Sequence, residues 1–492
     1  MKNAAGAEGG NTVKNLSFSS LKTKNVKYGG YAAIITIAVL IGLIVINLII
    51  QQFPTEIDLT EKKLYSLTDQ TEKVLDNLKN EVIIYALYAP GNEAEEILAV
   101  LRRYENKSDK VRIEFIDPDK NPAFLAKYDP EGSGISQGSL IVEAGENFKV
   151  ITPFDLYDIS YGQNGQPQIT GLSAEPRVTS AILYVTSGYT PVIYELTGHG
   201  EAVLANYGVT DMLEKENYSL KSLDLVTTPS IPEDADVLSV ISPKFDCTEA
   251  EAEKIITFIE EGGRAMFFFD FLSFDFFPVF GSILRSFGVE ILPGIVMEGD
   301  PKQMFSTELP NYISPKVSRH EILLPLIENN IPMLLPNTQA IKILDMKKRE
   351  IEVTPILTTS DNSWLRNVQD GTPVRISSDV PGPLNTGVVI TRKQLEADAP
   401  ESYRVLVCGT SGFLAPIPPF GQLKGNMEFL MNGLSWVNSR SETISIRSKS
   451  MFKMPMNMSA VQVVIYAGIV ILIIPLVIFI IGLVIWLKRR HL

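Results

Sequence analysis

The stretch YELTGHGEA, residues 194–202, sets His199 and Glu201 in a glycine turn behind the apolar run Pro191–Leu196. His199 is one of only three histidines in the chain. A histidine beside a carboxylate at the end of a buried strand can work as an acid–base pair, or hold a metal if a second carboxylate joins it. In an open parallel sheet, ligands bind beyond the carboxyl ends of the strands. Read onto such a sheet, those ends carry His199, Glu201, Lys244, Asp270, Thr410 and Ser411. The plainer reading has His199 and Glu201 capping the helix predicted over Glu201–Lys215. The six residues are therefore ligand-cleft candidates, and no catalytic or metal set is assigned.

Nucleophiles are scarce. VLVCGTSGF places Val407 before Cys408, which misses the G-x-C-x-G elbow of glutamine-amidotransferase-type sheets, and Phe413 spoils G-x-S-x-G. Cys408 reads as a small buried hydrophobe. Cys247 and Cys408 are the only cysteines and form neither a disulfide framework nor a metal-type pair. His320, in SRHEILLPL, has no second ligand nearby and suits a solvent-facing or capping role. Met451, Met454, Met456 and Met458 are spaced so that they could bind Cu(I), or form an adaptable apolar collar. No G-x-x-x-x-G-K-[ST] loop is present for ATP. No cofactor is implied.

The elements that must position these residues read as an α/β chain. Ser66 and Asp69 fit a capping box ahead of Val74, Leu75 and Leu78. Strands over 81–90 and 111–118, helices over 92–106 and NPAFLAKY, and a hairpin over 138–151 turning at Gly145 follow the β-α-β-α-β-β order of a thioredoxin-like domain. No cysteine precedes Cys247, so thiol exchange is excluded there. A connecting helix over 174–188 leads to alternating strands and helices, which predict a doubly wound parallel sheet of flavodoxin or glutamine-amidotransferase type. Thr248 and Glu251 form a capping box for a helix ended by Gly262 and Gly263. RAMFFFD (264–270) is apolar on both faces, as a covered parallel strand should be. Residues 290–400 break the rhythm and read as a mixed β insertion.

The ends carry long uncharged stretches, 29–50 and 461–487, each exceeding the roughly 20 residues that cross a bilayer. They predict one transmembrane helix at each end. Lys22, Lys24, Lys27 and the closing Lys488–Arg490 put both tails in the cytoplasm by the positive-inside rule, although Arg447, Lys449 and Lys453 oppose it. The region between is then extracytoplasmic. Net charge is −13, with +4 on residues 1–28 and +3 on the last five, leaving −20 for 29–487. That balance argues against nucleic acid as a partner. The expected organisation is tail 1–28, helix 29–50, thioredoxin-like domain with connector 51–188, sheet domain 189–440, linker 441–460, helix 461–487 and tail 488–492.

IDLTEKKLYSLTDQT, RVTSAI, ELTGHGE, ILTTSDNSWL and GNMEFLMNGLSWV occur in this order between the two terminal stretches. In this the chain resembles the auxiliary component of an uncharacterised class of ABC transport systems, the family that includes a gliding-motility-associated ABC transporter subunit. The resemblance implies a non-catalytic, membrane-anchored extracytoplasmic subunit that works with a separate ABC permease and ATPase on an unspecified substrate. A membrane-anchored solute- or glycan-binding module acting without a transporter, and an envelope hydrolase using the strand-edge cleft, are the competing readings.

Overall fold

The computed structural model describes residues 24–52, 60, 64–130, 134–161, 166–271, 277–366, 376–377, 379–393, 403–418, 421–438, 449–450 and 474–490. The chain divides into two compact units, Met1–Lys63 and Leu64–Leu492. The first holds the helix α1 (Lys24–Gln52), whose described side chains, such as Ile34 and Leu43, are apolar and exposed.

Among the described residues the expected membrane-crossing helices are not found. The last described helix is Ile474–Arg490. Among the described residues no helix is long and apolar enough to cross a membrane. This overturns the two-pass topology, and with it the cell-membrane location and the extracytoplasmic placement of the central region. The remainder of the second predicted span, 461–473, lies outside the described residues, as do Met451–Met458 and the tails 1–23 and 491–492.

The second unit opens with α2 (Asp69–Asp76), capped by Thr68 rather than by the expected pair Ser66 and Asp69; the Thr68 hydroxyl accepts from Thr71 N at 3.3 Å. There follow β1 (Val82–Leu87), α3 (Glu95–Lys107), β2 (Val111–Ile116), α4 (Pro122–Tyr128), β3 (Leu140–Ala144) and β4 (Asn147–Ile151). They form a four-stranded sheet ordered β2-β1-β3-β4, with β1 and β2 parallel and the other pairs antiparallel. Gly145, at φ +63°, supplies the left-handed residue that the β3–β4 turn requires. Val82, Ile84 and Ala86 face α3 and the later helix α5 (Ala174–Ser187), while Leu87 and Ile141 lie under Tyr128 of α4. Between these elements β5 (Tyr157–Tyr161) and β6 (Pro167–Leu172) form a hairpin. The two-residue strand Lys449–Ser450 pairs with β6, so the chain returns to this region near its end.

The large sheet has ten strands. Its first elements are β7 (Val192–Thr197), α6 (Thr210–Lys215), β8 (Ser219–Asp224), β9 (Val237–Ile241), α7 (Glu249–Glu260), β10 (Arg264–Phe268), α8 (Pro278–Ser286) and β11 (Val289–Leu292). The strands β8, β7, β9, β10 and Arg404–Cys408 lie side by side and parallel. Beyond Arg404–Cys408 the sheet continues antiparallel through Asn385–Arg392, Ala340–Ile343 and β11. The sheet is thus mixed rather than wholly parallel, and the segment 290–400 is no separate insertion, because its longest strands extend the sheet. The connection from Arg392 to Arg404 spans eleven residues, fewer than the dozen or more that a parallel crossover needs. The rest of that segment builds two small three-stranded sheets.

Both faces of the large sheet are buried, which explains why β10 carries no alternation. Ala265 and Phe267 pack toward α7 and α8, whereas Met266 and Phe268 pack toward α6 and the helix Lys424–Asn438. The capping box on α7 forms as read: Thr248 Oγ1 accepts from Glu251 N at 3.3 Å, and Glu251 Oε2 accepts from Thr248 N at 2.9 Å. Such a cap is worth about 1 kcal/mol. The helix expected over Glu201–Lys215 is not continuous. A 3₁₀ turn at Leu204–Tyr207 ends at Gly208, whose φ of +69° no α-helix can use, and only the short α6 follows.

Candidate functional site

The chain passes from β7 to β8 on one side and then to β9 on the other. The loops after β7 and β9 therefore diverge at the carboxyl edge, which is where an open sheet opens a ligand crevice. Here that crevice is closed by the protein itself. Ala202 N donates to Ile241 O at 2.9 Å, and Lys244 N and Phe245 N donate to His199 O at 2.8 and 3.0 Å. These bonds sew the two loops together.

His199 fills the seam. Its Nδ1 lies 2.8 Å from Glu201 Oε1, and its backbone N donates to Glu201 Oε2 at 2.7 Å. On the opposite side Nε2 lies 3.2 Å from Glu251 Oε1. The side chains of His199, Glu201 and Glu251 are 7%, 0% and 3% exposed. The ring also meets Phe280 edge-on at 5.7 Å. Burial raises the Glu251 pKa, but the hydrogen bonds from Thr248 and the neighbouring His199 outweigh it, and the carboxyl is held below its ordinary value. Glu201 does not cap a helix, because none follows directly; its carboxylate is spent on His199.

A second cluster surrounds Asp270, after β10. Its Oδ1 accepts from Ser411 N at 2.8 Å, with the Thr410 hydroxyl oxygen 3.5 Å away. Its Oδ2 accepts from Ser411 Oγ at 2.9 Å and Ser242 Oγ at 2.5 Å. Thr410 Oγ1 donates to Pro336 O at 2.8 Å, and Tyr207 Oη lies 3.2 Å from Ser411 Oγ. Burial raises the Tyr207 hydroxyl pKa. Ser242 sits at φ +47°, a left-handed conformation unusual for serine, which carries its hydroxyl to Asp270.

The six sequence candidates thus fall into two sets on one edge, His199 with Glu201 and Asp270 with Thr410 and Ser411. Lys244 contributes its backbone N to the first set, and its side chain is exposed. Glu251, Ser242 and Tyr207 were missed as site residues. Glu251 was legible only as a capping residue, because its contact with His199 bridges 52 positions. The arrangement is chemically spent: both ring nitrogens of His199 face carboxylates from opposite sides, so they cannot converge on one ion or substrate proton. Among the described residues no group of three or more His, Cys, Asp or Glu side chains is disposed to hold a metal ion.

The thiols are no better placed. Cys408 lies inside its strand, fully buried, and burial pushes its pKa to about 12. Cys247 is pushed up to about 12 as well, by burial and then by Asp246 and Glu251. His320 is half-buried, with Nδ1 accepting from Ile322 N at 3.3 Å and its ring against Trp436.

Against known proteins, residues 61–156 match a domain family of unknown function. No curated protein matches the chain. Among solved structures, the mmIFT52 N-terminal domain is 14% identical, with 50% of this chain and 98% of that one covered at a TM-score of 0.36. A protein described as ThuA-like, from Parabacteroides merdae, is 10% identical over 55% and 95% at 0.29. A protein described as one of the subunits of GMP synthase, from Thermoplasma acidophilum, is 11% identical over 50% and 96% at 0.25. Residues 190–395, which carry β7 to the antiparallel strands and most of the carboxyl edge, match the family described as ABC-type uncharacterized transport system, and this match supports an auxiliary component of such a system.

Proposed function

We propose that the chain acts without catalysis of its own, as a subunit that docks on a separate permease and ATPase and handles substrate beside them. The observation that carries this reading is the family match over the sheet domain. The chemistry of the edge agrees with it. A general base needs a ring nitrogen within reach of a substrate proton, whereas both nitrogens of His199 are occupied and the residue is 6% exposed. A cysteine nucleophile needs a thiolate, whereas both thiols are buried and held neutral.

Affinity purification of the tagged chain in mild detergent tests the proposal. The permease and ATPase should be recovered with it. Recovery of the chain alone, from cells in which the transporter is intact, would contradict the docking.

A further inference from the structure

The motif RVTSAI, on α5, divides its side chains between two bodies. Val178, Ala181 and Ile182 lie in the core of the four-stranded sheet. Arg177 and Ser180 instead meet the turn that follows α6. Arg177 Nη1 stands 3.2 Å from Glu216 Oε1, and Asn217 Nδ2 donates to Ser180 O and Oγ at 3.0 and 2.8 Å. The two preceding residues are held as well. Lys215 Nζ lies 2.7 Å from Asp155 Oδ1, and Glu214 O accepts from Lys149 Nζ at 3.3 Å. Four consecutive residues, Glu214 to Asn217, are thus gripped by β4, the 3₁₀ turn Pro153–Leu156 and α5. Lys424 Nζ and Asp158 Oδ2, 3.5 Å apart, add a looser contact.

Apolar burial does not reinforce this grip. Among the described residues, the apolar clusters of the four-stranded sheet and those of the large sheet share no side chain. Partly exposed ion pairs stabilise weakly, and bodies joined by polar contact move relative to one another unless a large apolar interface prevents it. The chain also offers a pivot. Helix α5 ends at Gly188, with φ at +64°, and one residue later the Tyr189 hydroxyl donates to Asp236, just before β9. Gly188 is therefore the last residue before the chain is fixed to the large sheet, and glycine changes backbone conformation with little steric cost.

We infer that Glu214–Asn217 is a latch: residues 64–187 form a separate rigid body, which this polar turn holds against the large sheet and which swings about Gly188 when the latch is broken. Lys449–Ser450 pairs with β6, so a second crossing of the chain keeps the opened body tethered.

The test uses the full chain with nitroxide labels at Arg102→Cys on α3 and Glu253→Cys on α7, both exposed positions. Cys247 and Cys408 are buried and stay unlabelled. Double electron–electron resonance on this labelled chain should give one narrow distance. Adding Glu216→Arg, which sets like charges against each other at Arg177, should lose that distance to a broad distribution. The exchange Arg177→Glu, Glu216→Arg should restore it. A narrow, unshifted distance in Glu216→Arg overturns the inference, as does a broad one that the exchange fails to narrow, or a broad one before any latch residue is changed. If Glu216→Arg does not fold, the labelled chain is compared at about 0.1 M and about 1 M salt, where the Debye length falls from about 10 Å to about 3 Å. Broadening at high salt then supports the latch, and an unchanged distance overturns it.

Discussion

His199 Nε2 stands 3.2 Å from Glu251 Oε1, across the seam between the loop after β7 and the first turn of α7. One carboxylate thus caps a helix and braces a histidine from a different loop. With Glu201 on the other nitrogen, the ring is a structural strut where the topology would otherwise leave a crevice.

Removing the strut should be costly. His199→Ala removes a buried hydrogen-bond partner from both Glu201 and Glu251, a loss of about 1–3 kcal/mol. Urea unfolding at neutral pH should show a sharply lowered midpoint, and His199→Gln, which can still donate one hydrogen bond, should lose less. A midpoint within error of wild type for His199→Ala would remove the strut from the account.

Acid should act through the same place. The folded-state pKa of Glu251 lies below its ordinary 4.5, with burial opposing and Thr248 and His199 prevailing. A depressed carboxyl contributes stability that is present above the unfolded pKa and lost as pH falls through the folded one. Unfolding free energy should therefore drop below about pH 4.5, and Glu251→Gln should flatten part of that drop. Parallel pH profiles for wild type and variant would contradict the assignment.

Asp270 makes a separate prediction. Its two oxygens accept from Ser411 N, Ser411 Oγ and Ser242 Oγ. Asp270→Asn presents an NH₂ group to hydrogen-bond donors and should cost about 1–3 kcal/mol. Thermal melting should fall accordingly, with no dependence on any added ligand.

The thiols give a chemical readout. With pKa values pushed to about 12 and both side chains buried, Cys247 and Cys408 should resist iodoacetamide in the native chain at about pH 8, where an ordinary thiol of pKa ~8.5 is partly ionised. Both should alkylate in urea, as read by mass spectrometry. Rapid native labelling of either would reopen the nucleophile reading.

These predictions separate what local sequence carries from what it does not. The α7 capping box and the two-faced burial of β10 depend on neighbouring residues, and both were legible. The antiparallel course of Asn385–Arg392 was not, since GVVITR reads the same beside a parallel or an antiparallel neighbour and only the connection decides. Gly208 was the overlooked signal that broke the helix expected over Glu201–Lys215. The six candidate residues were legible as a carboxyl-edge set, because strand ends can be read from apolar runs. Their division into two satisfied clusters was not, because it depends on Glu251, Ser242 and Tyr207 arriving from elsewhere in the chain. The long apolar runs at both ends suggested membrane helices from hydropathy alone, and the described helices do not bear that out.

The most direct test of the central claim places the affinity tag on the ATPase and measures which proteins co-elute, in what ratio, from mild detergent. An accessory subunit should appear with the permease and ATPase in a fixed ratio that survives size-exclusion chromatography. A permease–ATPase complex recovered intact and active without this chain would contradict it.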